Sequence, residues 1–368
     1  MAKEPFTPSF LPPEVDLTGV IKLITDAREA VVRYDEAVKG LPDPTLIRRT
    51  FITQEAVMSS KIEGTQATFE EILELDAEEP NSEENEKLRD YREISNYRSA
   101  ITKGKELLKD KPLSENVIKM LHKMLLSSVR GKNKTPGEFR RHQVLIGPAG
   151  ATIEEASYVP PVHTEIPKLF SDLINYIQND SQPDRLVQAA IAHYQFEAIH
   201  PFADGNGRVG RLMIPLYLYE KGMTTYPNLY ISEFLETHRR DYYEHLNRVS
   251  EEGDWIGWIT FFLRAVREQS NLSKRRVEKV SKLYKELHER LPEFNSIYAS
   301  VFLDALFSQP IFTPKAIGRT AGITNPKTLY NLIDKFIQAK LVLDLSPEKS
   351  RDKLYAFTQL LDILESDS

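Results

Sequence analysis

The chain has 368 residues, 41% of them apolar and 28% charged, with a net charge of −6 and an isoelectric point near 5.9. That length holds two or three domains with substantial cores, and the acidic balance excludes a global pull toward nucleic acid or an anionic membrane. There is no cysteine, which excludes disulfides and thiolate metal sites and suits a reducing cytoplasm.

Met1 to Phe10 lacks the apolar run of a signal peptide, and no apolar stretch approaches bilayer length. The expectation is a soluble, cytoplasmic protein that does not enter a membrane. Pro12-Pro13 open an irregular arm. Helical patterns run from about Leu17 to Lys39 and from Pro44 to about Glu63. A charged helix comes next, from roughly Glu83 to Asp110, its alternating signs reading as a solvated face. Ser114 begins another helix, Asn116 to Arg130, and Gly131, Pro136 and Gly137 mark a loop. The run Gln143 to Gly147 is short, apolar and β-like, and Phe139 to Val162 is predicted as a small hairpin. Helices resume at Glu165 to Ile177 and Arg185 to Ile199. The second is apolar on several faces, so it is predicted to be buried and central, a rigid mount for the segment it delivers.

That segment is His200-Pro201-Phe202-Ala203-Asp204-Gly205-Asn206-Gly207-Arg208-Val209-Gly210-Arg211. Gly205 and Gly207 permit positive φ and close backbone approach to a ligand. Leu212, Met213, Leu216 and Tyr217 then recur at helical spacing. A glycine turn feeding a helix aims free N–H groups and the positive end of the dipole at an anion. Arg208 and Arg211 share a face of the first turn and can each fork onto phosphate oxygens. Their charge opposes the dipole, a local cost that an anion would offset. Asp204 is the type of single carboxylate that holds Mg²⁺ together with substrate phosphates. His200 titrates near neutrality and can take a hydroxyl proton. Phe202 supplies an apolar plug. No Gly-Lys-Ser/Thr stands after the glycines, and neither cysteine nor a second histidine stands at zinc spacing.

HPFADGNGRVGR closely resembles the signature of Fic-domain proteins, HPFx(D/E)GNGRxxR, at every fixed position. The resemblance implies a mainly α fold and transfer of AMP from ATP, with Mg²⁺, to a hydroxyl of a target protein and of the chain itself. It implies His200 as the base and Asp204 as the Mg²⁺ ligand. Gly205, Asn206 and Gly207 would hold the α- and β-phosphates, Arg208 the β-phosphate and Arg211 the γ-phosphate. The 139–162 hairpin resembles the Fic flap, in which Ile146 and Gly147 would line the nucleotide site and an extended target segment would add as a strand. Tyr242-Tyr243 resemble a family pair of which one, here Tyr243, lines the adenine pocket, although helix aromatics are more often core.

Ser59-Ser60-Lys61-Ile62-Glu63-Gly64 resembles the family's inhibitory motif (S/T)xxxE(G/N). Ser59 and Glu63 lie on one helix face, and Gly64 is the residue expected just past a helix C-terminus. A Glu in the last turn is opposed by the dipole. The resemblance implies that Glu63, assisted by Ser59, pairs with Arg211 and denies it to the γ-phosphate. A displacement of about 1 Å at the reacting atoms costs on the order of a hundredfold in rate.

Beyond Gln269 a charged helix continues through Lys274-Arg275-Arg276 to about Arg290. Phe294 to Phe307 reads as an apolar helix. Thr313-Pro314 and Asn325-Pro326 are cap-and-proline helix starts, and Leu329, Leu332, Ile333, Phe336 and Ile337 form an apolar stripe. Leu341 to Leu345 and Lys353 to Phe357 read as two strands. This order resembles a winged helix, with Lys327, Thr328, Tyr330, Asn331 and Lys335 on the presented helix and Lys349 and Arg351 at the wing tip. DNA binding, protein contact and homodimerisation all remain open for it. The expected domains are an N-terminal helical segment with the inhibitory motif (1–112), a Fic catalytic core (113–270), a linker helix (271–292) and a winged-helix-like domain (293–368). The competing readings are a nucleotide-sensing DNA-binding regulator and the same scaffold removing AMP from a modified protein.

Overall fold

The computed structural model describes residues 4–78, 85–127, 134–148, 150, 152–179, 184–346, 348 and 353–366. Among them the chain is mainly helical. The helices are α1 Ile21–Lys39, α2 Thr45–Ile62, α3 Phe69–Glu78, α4 Glu86–Leu107, α5 Glu115–Leu125, α6 Ile166–Gln178, α7 Arg185–Ile199 and α8 Asn206–Glu220. They continue with α9 Ser232–Thr237, α10 Arg239–Glu252, α11 Trp255–Glu289, α12 Ala299–Ser308, α13 Pro314–Thr320, α14 Pro326–Gln338 and α15 Thr358–Glu365. Three short strands, β1 Ile311–Phe312, β2 Leu343–Asp344 and β3 Tyr355–Ala356, make an antiparallel sheet of order β1-β3-β2. Ala356 faces Ile311 on one side and Leu343 on the other.

The chain divides into two compact units. The first takes Met1–Arg33, Met58–Thr65 and Arg92–Ser270; the second takes Tyr34–Val57, Gln66–Tyr91 and Asn271–Ser368. Residues 1–112 therefore contribute to both.

In the first unit α7 is the hub, packed against α6, α8 and α10. Its residues from Leu186 to Phe196, with Ala198 and Ile199, are all buried, as its all-round apolar pattern predicts. Asp184 caps it, accepting from the Leu186 and Val187 N–H groups. Trp258 of α11 is fully buried and donates its indole N–H to the Ala190 carbonyl at 2.8 Å.

In the second unit the two predicted caps form: Thr313 Oγ1 accepts from Ala316 N and Asn325 Oδ1 from Thr328 N. Leu329, Leu332, Ile333 and Phe336 are buried beneath α14. Gln54 of α2 donates to the Leu364 carbonyl, and Thr313 Oγ1 to that of Ala77 in α3.

The structure corrects several sequence expectations. Among the described residues the small hairpin at 139–162 is closed by one antiparallel bridge, Ile146 to Tyr158; Pro148, Pro160 and Pro161 lack ladder donors. Helix α3 is an addition to the expected elements, although Thr68 and Glu71 form a reciprocal capping box, a signature readable in the sequence. The charged helix is α4 and is not simply a solvated face, since Asp90 and Glu93 are buried. The linker helix is part of α11, continuous from Trp255. Phe294 and Phe307 belong to separate elements, a 3-10 turn and α12, broken by left-handed Asn295. Lys335 is not presented on α14; it donates to the Phe294 carbonyl. Glu83, Arg130, Gly131, Lys349 and Arg351 lie outside the described residues.

Candidate active site

Helix α7 ends at His200, which takes a left-handed conformation (φ 48°, ψ 60°) and donates its N–H to the Phe196 carbonyl. A non-glycine residue in this region carries a conformational cost, here borne at the turn out of the domain's most buried helix. Five residues later Gly205, also left-handed at φ 77°, starts α8. Asn206 ties the intervening loop: its Oδ1 accepts from Phe202 N and its Nδ2 donates to Phe202 O, each at 2.9 Å. The Asn206 amide thus shapes the loop instead of facing a ligand. Phe202 is fully buried, as its apolar character predicts, and stacks on His122 with ring centroids 3.8 Å apart.

Both arginines of the first two turns of α8 are buried and paired with carboxylates. Arg211 donates from Nε to Ser59 Oγ and from Nη2 to the Ser59 carbonyl, each at 2.9 Å, and from Nη2 to Glu63 Oε1 at 2.6 Å. Burial pushes the Glu63 carboxyl up, but Arg211, with Arg208 and His200, outweighs it and holds the group below its ordinary range. The Glu63 carboxylate lies over the α-carbon of Gly207, where any side chain would collide with it. Arg208 pairs with Glu93 Oε1 at 2.7 Å and lies 3.5 Å from Asp204 Oδ1. Burial drives the half-buried His200 imidazole down to about 4, against the Glu197 carbonyl and the Glu63 charge; it is neutral at pH 7.

A cavity of about 520 Å³ opens between these groups. Its walls include Glu63, His200, Gly207 and Arg211, together with Ile146, Gly147, Tyr242 and Tyr243. The site residues expected from the sequence therefore meet around one space, except Asn206, Arg208, Gly205, Asp204 and Ser59, which stand behind or beside its wall. Tyr243 is 38% exposed, whereas Tyr242 is buried with its hydroxyl 2.9 Å from His193 Nε2. Among the described residues no group of three or more His, Asp or Glu could hold a metal ion. Asp204, its side chain 39% exposed, offers one hard oxygen donor, which fits a Mg²⁺ whose remaining ligands are phosphate and water.

Four further residues are not legible as site residues in the sequence. Glu93 is hidden in an apparently solvated helix. His122, fully buried on α5, accepts from the Gly137 N–H through Nδ1 at 2.8 Å, so its Nε2 carries the proton and donates to the Asp204 carbonyl at 2.9 Å. Arg140 binds the carbonyls of His200, His142 and Pro161, bracing both flap segments against the end of α7. Glu197, one turn before His200, lines the cavity, and burial raises its carboxyl to about 8. For His122 and Glu197 the one sequence signal is an imidazole or charged side chain among the apolar residues of a helix; for Glu93 and Arg140 there is none.

A mainly helical domain in which a histidine at one helix end faces a glycine turn and two arginines at the start of the next defines a Fic-type protein. The profile described as "Fic/DOC family N-terminal" matches residues 21–106 and that of "Fic/DOC family" residues 112–218, together over half of the chain. The chain belongs to the Fic/DOC family. It is 29% identical over 175 residues to a probable protein adenylyltransferase of Aquifex aeolicus, covering 46% of this chain and 48% of that protein. It is 35% identical over 128 residues to the protein adenylyltransferase Fic of Aedes aegypti, covering 34% of this chain and 22% of that one. The matched stretch thus spans less than half the length of these relatives. A Fic family protein from Desulfovibrio desulfuricans G20 shares the fold across 95% of this chain and 98% of its own, with a TM-score of 0.61 at 22% identity. A Fic domain containing signaling protein from Bacteroides thetaiotaomicron VPI-5482 covers 69% of this chain and 97% of its own, with a TM-score of 0.55 at 20% identity. No helix among the described residues is long and apolar enough to cross a membrane.

Proposed function

We propose that this chain is a protein adenylyltransferase that moves AMP from ATP to a hydroxyl side chain of a target protein, and that Glu63 inhibits it. The observation that carries this reading is the ion pair at 2.6 Å between Glu63 and Arg211 at the edge of a cavity lined by His200. The names of the Aquifex and Aedes relatives support the reaction class.

On this reading the free N–H groups at the start of α8 and the two guanidinium groups receive the phosphates. His200, neutral in this state, accepts the proton of the target hydroxyl as its oxygen attacks the α-phosphorus; pyrophosphate leaves. A neighbouring polyphosphate favours the imidazolium and moves the base from about 4 toward the working pH. Asp204 would hold Mg²⁺, which supplies charge neutralisation on the phosphates. Ile146 and Gly147 shape the flap wall, Tyr243 offers a ring for adenine, and the flap backbone offers an edge to the target segment.

Glu63 takes the Arg211 donor that the γ-phosphate needs, so ATP binds misaligned. The test is intact-mass spectrometry of Glu63→Gly incubated with Mg·ATP. An AMP-sized adduct that disappears in Glu63→Gly/His200→Ala supports the assignment. Its absence from Glu63→Gly refutes it.

We also infer a winged-helix reading for the C-terminal part of the second unit. It is supported by the order α12, α13, turn, α14, β2, β3 and by the antiparallel pairing of β2 with β3. Lys327, Tyr330 and Asn331 are exposed on α14. Salt-dependent binding to duplex DNA tests a nucleic-acid role; concentration-dependent mass in solution tests homodimerisation.

A further inference from the structure

Two acids from different helices hold the two arginines of α8, and their settings differ. Glu63 comes directly after α2, with a side chain 35% exposed against an Arg211 that is 1% exposed. Glu93 lies within α4, with a side chain 7% exposed against an Arg208 that is 6% exposed. Glu63 can release its arginine by turning into water. Glu93 cannot, because its own side chain is only 7% exposed and would become a buried carboxylate without a counter-ion, among the costliest arrangements in a protein interior. Thr65 adds a hydroxyl contact to the same Glu93 oxygen at 3.4 Å. Glu93 is therefore a fixture where Glu63 is a gate.

The geometry around Arg208 gives that fixture a purpose. Its Nη1 is 2.7 Å from Glu93, while its Nη2 is 3.5 Å from Asp204. Asp204 and Arg208 are four residues apart across the turn into α8, so the two can close on each other with a small rotation. If Glu93 carried no charge, Asp204 would be the carboxylate left within ion-pair distance of that guanidinium. The 3.5 Å contact would then shorten, and the Asp204 carboxylate would be taken up by the arginine.

We propose that Glu93 is a positioning residue that keeps the Arg208–Asp204 ion pair long, at 3.5 Å, so that the Asp204 carboxylate stays available to a divalent cation shared with a nucleotide phosphate. This rests on the nucleotide-binding reading above. Glu93 touches neither nucleotide nor metal; it acts through Arg208.

The experiment compares Glu63→Gly with Glu63→Gly/Glu93→Gln. ADP binding is measured by calorimetry across a magnesium series and in EDTA. Glu93→Gln keeps the size of the side chain and removes its charge. The magnesium concentration giving half of the metal-dependent gain in ADP affinity should rise about tenfold or more, the effect typical of disturbing a group behind a metal ligand. Adding Arg208→Gln to the double variant should return that concentration to within about threefold of the Glu63→Gly/Arg208→Gln value. A purely structural role for Glu93 would give no such rescue. An unchanged magnesium requirement in the double variant overturns the proposal, as does ADP binding that ignores magnesium in every protein. If Glu63→Gly/Glu93→Gln fails to fold, the Arg208→Gln pair decides: equal magnesium dependence with and without Glu93 supports the proposal, and a difference of tenfold overturns it. Calorimetry does not require turnover. Magnesium-dependent ADP binding without any AMP adduct would sink the transferase reading and leave this one standing.

Discussion

Replacing Glu63 by glycine removes one charge-assisted hydrogen bond of 2.6 Å from Arg211 and leaves the two bonds from Ser59 in place. Such a bond is worth about 1.5–3 kcal/mol when shielded. Glu63 is about one-third exposed, so solvent screening reduces this to about 1–1.5 kcal/mol. At 1.4 kcal/mol per factor of ten, phosphate gains roughly five- to twelvefold in access to Arg211. Realigning the reacting phosphorus by about 1 Å adds on the order of a hundredfold in rate. Initial rates of AMP adduct formation, tracked by intact mass, should therefore rise at least tenfold over the unsubstituted chain. A rise below threefold, or equal labelling in Glu63→Gly/His200→Ala, would refute the reasoning.

Among the histidines of the first unit that burial holds below their ordinary range are His122 and His200, at about 4, and His193, at about 3. An unfolded chain protonates them near 6.5 while the folded one does not, so their stabilisation is complete above 6.5 and is lost as pH falls toward 4. Glu197, raised to about 8, acts in the opposite direction between 4.5 and 8. The net of about one to two protons predicts a loss of about 2 kcal/mol per pH unit between 6 and 5, measurable by urea unfolding; a flat profile there would contradict the burial described. Asp184→Ala removes the cap of α7 and should lower stability by about 1–2 kcal/mol, read as a drop in melting temperature with the magnesium requirement unchanged. His122→Ala strips the Asp204 carbonyl and the Gly137 N–H of their partner and should cost about 2–4 kcal/mol. In the Glu63→Gly background it should also slow adduct formation tenfold or more; unchanged kinetics would deny His122 its hold on the loop.

Much of the site is readable in the sequence because its chemistry is local. His200, Asp204, the glycines, Arg208 and Arg211 lie within twelve residues, and one helical turn puts the two arginines on one face whatever surrounds them. The burial of α7 is implied by its apolar faces, and the caps at Thr313 and Asn325 by side chains that bond their own backbone. The i, i+4 placement of Ser59 and Glu63 is equally local. The flap pairs antiparallel only at Ile146 and Tyr158 among the described residues, because prolines remove ladder donors on either side. Glu93 reads as solvated and is not, because alternating charges look alike whether they meet water or a buried arginine.

Local periodicity and short-range backbone bonding determined which segments are helices, where they start, and which face of α8 carries its arginines. Only the tertiary structure decided who meets those arginines. Glu63 is 148 residues from Arg211 in the chain, and His122 is 82 from Asp204. A buried guanidinium takes whatever carboxylate the packing brings within about 3 Å, and no pattern of neighbouring residues encodes that choice.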